Sequence, residues 1–63
     1  MPENVSREDA SKVRNHFRRR LDAVAAGAHI IVTRWGDDTA VLVPPDWYER
    51  AQKALGERGK DHD

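Results

Sequence analysis

Arginine is the residue whose number and spacing could give this chain a chemical role. Between Ala10 and Leu21 there are five basic residues and no acidic residue. Arginines that recur every three or four residues share one side of a helix, where their guanidinium groups can follow a phosphate backbone or read guanine. The strip that this spacing predicts consists of Arg7, Ser11, Arg14 and Arg18. This pattern favours nucleic-acid binding, and the alternative is an arginine-rich helix surface that only contacts solvent.

The formal net charge of zero conceals an asymmetry along the chain. Residues 1–36 contain seven Lys and Arg against four Asp and Glu, whereas residues 37–63 contain four against seven. A basic half followed by an acidic half suggests a surface for a polyanion and a separate end for another partner.

The sequence argues against an enzyme, a cofactor or a metal site. Without cysteine there is neither a thiol nucleophile nor a thiolate ligand. His16, His29 and His62 do not have the spacing of metal ligands, and we expect His29, at a strand start, to be an edge or surface residue. The adjacent Asp37 and Asp38 are more typical of a turn than of an acid–base pair.

A chain of 63 residues forms one small domain, and its core alone supplies little net stability. Because there are no disulfides to compensate, we expect a homodimer. The folded domain is predicted over residues 1–55, and residues 56–63 form a polar tail predicted to be disordered. No apolar run approaches the length of a membrane span, so we expect a cytoplasmic protein without membrane contact.

The first predicted element is a helix that begins near Ser6 and ends at Gly27. Ser6 and Asp9 resemble a capping box, and Gly27 is a typical helix stop. Phe17 is expected to be the largest core residue of this helix. The apolar stripe that predicts the helix consists of Ala10, Val13, Phe17, Leu21 and Val24.

The second half predicts a β-hairpin and a shorter helix. Residues 29–33 and 39–43 are rich in β-branched side chains, and residues 35–38 between them contain turn formers. Asp46 and Glu49 suggest a capping box for a helix over residues 47–55. The predicted fold class is therefore α+β: a helix, an antiparallel hairpin and a helix, with a small sheet backed by helices in a homodimer.

Several short blocks, taken in order, resemble the Phd/YefM antitoxins over about residues 11–49. The blocks are Arg14-Asn15-His16-Phe17, Leu21-Asp22-Ala23-Val24-Ala25-Ala26-Gly27, Ile30-Ile31-Val32-Thr33-Arg34-Trp35-Gly36, Ala40-Val41-Leu42-Val43 and Trp47-Tyr48-Glu49. The family opens with a β-strand just before the motif serine. Here that segment predicts extra helix, so the strand is expected to be missing or reduced to Asn4-Val5.

The resemblance implies a dimer whose N-terminal part binds operator DNA and whose C-terminal part neutralises a RelE-like or Doc-like toxin. Arg14 and Ser11 match the DNA-contacting arginine and the motif serine of the first helix, and Arg34 matches a second contact after the strand. The predicted toxin-binding residues are Trp47, Tyr48, Ala51 and Leu55.

The sequence thus predicts an antitoxin-type transcriptional repressor that binds operator DNA as a dimer. The alternative is an interaction module that dimerises through the hairpin and uses its basic helix on an acidic protein, without binding DNA.

Overall fold

The computed structural model describes residues 4–56, which form three strands and three helices. In chain order these are β1 (Val5–Asp9), α1 (Ala10–Asn15), α2 (Phe17–Ala25), β2 (His29–Arg34), β3 (Asp37–Leu42) and α3 (Pro45–Ala54). The strands lie in the order β1-β2-β3, with β1 parallel and β3 antiparallel to β2. The α+β class is confirmed, but the sheet has one strand more than the predicted hairpin.

The extra strand is β1, where the sequence predicted the start of a helix. Val5 lies opposite His29 and Asp9 opposite Thr33, so β1 occupies the free edge of β2. Asp9 then caps α1, because its carboxylate accepts a hydrogen bond from the Ser11 backbone N–H at 2.8 Å. The predicted capping box that began at Ser6 is wrong, and the strand that the family resemblance implies is present.

The long predicted helix is interrupted at His16, which separates α1 from α2. His16 has φ −128° and ψ 33°, outside the helical region, and asparagine and histidine are weak helix formers. Phe17 is 48% exposed and Leu21 is 43% exposed, so the prediction that Phe17 is a core residue is wrong for the single chain. Part of the apolar face of α2 is therefore uncovered in the single chain.

The core consists of Val13 from α1, Val24 from α2 and Ile30 from β2. Val32 and Leu42, both partly buried, pack against it. Because side chains alternate along a strand, Ile30 and Val32 point to α1 and α2, whereas His29, Ile31 and Thr33 point to the opposite face of the sheet. Three buried apolar side chains form a small core for an independent domain.

The hairpin turn is tighter than the sequence predicted. Arg34 and Asp37 belong to the strands and pair with each other, so only Trp35 and Gly36 connect β2 to β3. Both have positive φ, 52° and 83°, which is the pattern of a type I′ turn. A left-handed backbone costs a side-chain-bearing residue about 1–2 kcal/mol. Asp38 lies in β3 as well, so the prediction that these two aspartates form the turn is wrong.

The last helix begins two residues earlier than predicted, with Pro45 at its start. Its N-cap, Pro44, offers no side-chain hydrogen bond, so the predicted Asp46–Glu49 capping box is wrong. Asp46 instead accepts a hydrogen bond from Arg50 at 3.3 Å. Apart from Gly56, the predicted tail over residues 56–63 lies outside the described residues. No helix within residues 4–56 has the length and apolar character needed to cross a membrane.

Candidate nucleic-acid interface

Two predicted DNA contacts that are far apart in sequence meet at one end of the sheet. Ser11 and Arg34 both line a cleft of about 160 Å³. They meet because parallel strands end at the same edge: α1 starts directly after β1, beside the end of β2. The complete lining is Asp9, Ala10, Ser11, Arg34 and Trp35.

The cleft also contains two residues that the sequence did not single out for binding. Asp9 contributes a negative charge, but its carboxylate is engaged with the Ser11 backbone N–H. Trp35 lies at the hairpin tip and is 87% exposed. The Arg34 guanidinium carbon lies 4.7 Å from the centre of the Trp35 ring, within cation–π range. A positive φ at a bulky residue is the signal that distinguishes this position, and it becomes visible only in the structure.

The remaining predicted contacts are divided between α1 and α2. Arg14 is exposed and follows Ser11 by three residues on α1, so both lie on the same side of that helix. Arg18 is exposed on α2, beyond the interruption at His16. The predicted strip is therefore not one continuous helix face.

Arg7 is on β1 and does not belong to a helix. Its Nε and Nη2 groups donate hydrogen bonds of 2.9 and 2.8 Å to the two carboxylate oxygens of Asp38 on β3. This ion pair reaches across β2 and links the two edge strands. The prediction that Arg7 lies on a helix with Ser11 and Arg14 is wrong.

The ion pair changes the acid–base behaviour of both partners. The hydrogen bonds donated by Arg7 lower the pKa of the Asp38 carboxyl, outweighing partial desolvation, and attraction to the guanidinium charge adds to the lowering. The same hydrogen bonds raise the pKa of Arg7. Both side chains are largely exposed, so the pair orients the strands more than it stabilises them.

A second cleft, of about 440 Å³, separates α3 from the end of α2. His29 lies in its lining with only 7% exposure and on the central strand, so the prediction of an edge or surface position is wrong. The Trp47 ring packs edge-on against the imidazole, with 4.9 Å between the ring centres. This contact attaches α3 to the start of β2.

The four predicted toxin-binding residues differ in how far their side chains are exposed to a partner. Trp47 faces the body of the domain and Ala51 is partly buried. Tyr48 and Leu55 are exposed, and their seven-residue separation places them on one side of the helix. Within residues 4–56 no three His, Cys, Asp or Glu side chains are grouped closely enough to hold a metal ion.

Comparison with known proteins gives one match. Residues 9–57 match the family model described as "Antitoxin Phd_YefM, type II toxin-antitoxin system". The match begins at Asp9, the N-cap of α1, and includes both clefts. Searches found no matching curated protein and no matching solved structure.

The Arg7–Asp38 pair predicts how Asp38 responds to acid. Because the folded-state pKa of Asp38 is lowered, the pair stabilises the fold above the ordinary carboxyl range and is lost as pH falls through the lowered pKa. Arg7→Ala should therefore move the Asp38 titration to higher pH, as measured by NMR of its carboxyl carbon. Lys12→Ala, which also removes one exposed positive charge, is the control. An unchanged Asp38 titration in Arg7→Ala would contradict the ion pair.

Proposed function

The chain belongs to the Phd/YefM antitoxin family of type II toxin–antitoxin systems, and we propose that it binds operator DNA as a homodimer, represses its own promoter and neutralises a cognate toxin. In this proposal residues 1–55 form the DNA-binding and dimerisation domain, which acts in the cytoplasm without enzymatic activity or a cofactor.

The observation that carries the DNA-binding proposal is the meeting of Ser11 and Arg34 in the smaller cleft. These residues, together with Arg14, are the ones that match the family's serine and arginine positions. A hydroxyl and a guanidinium that line the same cleft can offer several hydrogen-bond donors to one phosphate or one base edge.

The exposed positive charges on α1 and α2 support the same DNA-binding proposal. Arg14 and Arg18 are exposed, and neither forms a salt bridge within the described part of the chain. Arg20, by contrast, is bound to Glu8 at 2.7 Å with both side chains mostly covered, so it serves the fold. We therefore assign Arg14, Arg18 and Arg34 to DNA and give Arg7 and Arg20 structural roles.

A dimer is proposed because apolar side chains stay uncovered in the single chain. Phe17 and Leu21 lie one turn apart on α2, and each remains more than two-fifths exposed. Val5 and Val41, on the two edge strands, are about half exposed. A second copy that covers the α2 pair would enlarge the core and place two DNA-binding clefts in one assembly, as a palindromic operator requires.

The toxin-binding role is proposed for α3 and the chain after it. Tyr48 and Leu55 provide an exposed aromatic and an exposed aliphatic group on one side of an amphipathic helix, which suits binding in an apolar groove. Trp47 holds the helix to the domain through His29, and Ala51 lies between the two sides. A RelE-like or Doc-like toxin is the expected partner.

The DNA surface is tested by single substitutions and a gel shift with the duplex directly upstream of the gene. Arg14→Ala and Arg34→Ala should each weaken binding by roughly 1–3 kcal/mol if the arginine reads a base. A phosphate contact should instead reduce the salt slope by about one. Dimerisation and melting should be unchanged, because both side chains are exposed.

Lys12→Ala and Arg19→Ala are the matched controls, since both residues are basic and exposed on α1 and α2. Equal small losses of DNA affinity in all four variants would show that these residues contribute only a diffuse positive charge and no specific DNA contact. Wild-type protein that ignores DNA but binds an acidic protein through these residues would support the interaction module instead.

The dimer is tested by Phe17→Ala. Losing a central aromatic contact should raise the dimer dissociation constant about tenfold or more, because interface aromatics contribute over 1 kcal/mol each. Sedimentation equilibrium measures this, and Leu55→Ala, which changes an exposed apolar residue at the C-cap of α3, should leave the mass unchanged. A wild-type protein that sediments as a folded monomer, or a Phe17→Ala variant of wild-type affinity, would disprove the interface.

The toxin surface is tested by co-purification with the product of the neighbouring reading frame. A Tyr48→Ala, Leu55→Ala double variant should lose this product, because it removes both exposed anchors of α3, and should still bind operator DNA. Capture equal to that of the wild type would show that the anchors lie elsewhere.

A further inference from the structure

We infer that Trp35 is part of the DNA-contacting surface: one face of its ring holds the Arg34 guanidinium in place, and its outer surface contacts the DNA sugar backbone. This inference rests on the proposed DNA binding and adds a residue to it. Its basis is a bulky aromatic ring at an exposed, conformationally unfavourable position beside two proposed DNA contacts.

The position of Trp35 gives it little value for folding. The ring is 87% exposed, so burying it contributes little to the free energy of folding. Its φ of 52° is one that Asn or Gly adopts readily, and Asn-Gly is the favoured pair in a type I′ turn. Unfavourable backbone conformations that persist in a fold are concentrated at functional sites.

The neighbour of the ring indicates the first part of its role. The Arg34 guanidinium lies over the Trp35 ring at 4.7 Å, although Arg34 is exposed and otherwise free to sample many rotamers. Stacking on the ring limits these rotamers before DNA arrives. Less side-chain entropy is then lost on binding.

The position of the ring in the cleft indicates the second part of its role, which is contact with the DNA sugar backbone. Trp35 lines the cleft together with Ser11 and Arg34, so any phosphate bound by these two residues brings its sugar next to the indole. An indole offers an apolar face and one N–H donor, which suits the mixed surface of a deoxyribose beside a phosphate. Asp9 is the one acidic residue of this lining, and its carboxylate accepts the Ser11 backbone N–H.

The proposed contact of Trp35 with DNA can be followed by tryptophan fluorescence. The chain has two tryptophans, and the other, Trp47, packs against His29 at the opposite end of β2. In a Trp47→Phe protein, the emission of Trp35 should shift and become protected from acrylamide when the upstream duplex is added. The change should saturate together with the gel shift. In Trp35→Phe, where only Trp47 emits, the same titration should leave the emission unchanged. Trp35 emission that does not respond while the duplex is bound would overturn the inference.

Affinity measurements distinguish the contribution of the Trp35 ring to DNA binding from its contribution to the turn. Trp35→Asn keeps a favoured turn residue and removes the ring, so melting should stay the same or improve while operator affinity falls about tenfold. Trp35→Phe should recover most of the affinity because it retains an aromatic face. The salt slope should stay at the wild-type value in Trp35→Asn, which removes no charge, and should fall by about one in Arg34→Ala. Combining Trp35→Asn with Arg34→Ala should lose less affinity than the two single losses predict, because the ring acts partly through Arg34.

The outcomes distinguish this inference from the proposed function. A wild-type chain that binds no upstream duplex would overturn both. Wild-type binding with full affinity in Trp35→Asn would overturn only the role of Trp35. A Trp35→Asn protein that melts well below the wild type would show that the ring serves the fold, and would also overturn the inference.

Discussion

The constraint on which the structure depends is the size of its core. Only Val13, Val24 and Ile30 are buried apolar residues within residues 4–56, and no disulfide supports them. Chain entropy opposes folding with about 1–2 kcal/mol per residue for the backbone alone, which so few buried side chains do not offset. The uncovered apolar face of α2, with Phe17 and Leu21, therefore has a physical reason to meet a second copy. Dimerisation in this account is a condition of folding, and two operator half-sites follow from it.

The pairing of β1 with β2 connects this fold to its proposed site. It covers one edge of β2, positions Asp9 to cap α1 and brings Ser11 and Arg34 to the same cleft. Two further hydrogen bonds stabilise β1. The Glu8 carboxylate accepts one from Arg20 of α2, and the Glu8 backbone carbonyl oxygen accepts a longer one of 3.4 Å from the Thr33 hydroxyl. Contacts that stabilise the sheet thus also set the geometry of the proposed DNA-binding surface. A change that loosens β1 would disturb both.

Local sequence patterns predicted the elements whose formation depends on neighbouring residues. They failed where pairing between distant segments determines the structure. The hairpin followed from its β-branched runs, and the last helix formed close to its predicted position although its predicted capping box did not. The segment over residues 5–9 is polar and became a strand only because β2 offers it an edge, which periodicity does not reveal; the family resemblance did imply it. Phe17 fitted the apolar stripe, but a stripe does not say whether the covering surface belongs to the same chain. At the candidate site, the sequence singled out Ser11 and Arg34, which the structure places in one cleft, and their DNA contacts stay a prediction. The positions of Arg7 and Trp35 depend on long-range pairing and backbone conformation, which the sequence pattern does not reveal.

Coupling between folding and association is the central claim, and thermal unfolding at several protein concentrations tests it most directly. If the dimer supplies the missing core, the melting temperature should rise steadily with chain concentration, because association stabilises the folded state by mass action. Circular dichroism would follow the loss of helix and strand over a wide range of concentrations. A cooperative transition whose midpoint does not change with concentration would show that the single chain is stable alone, and would contradict the account.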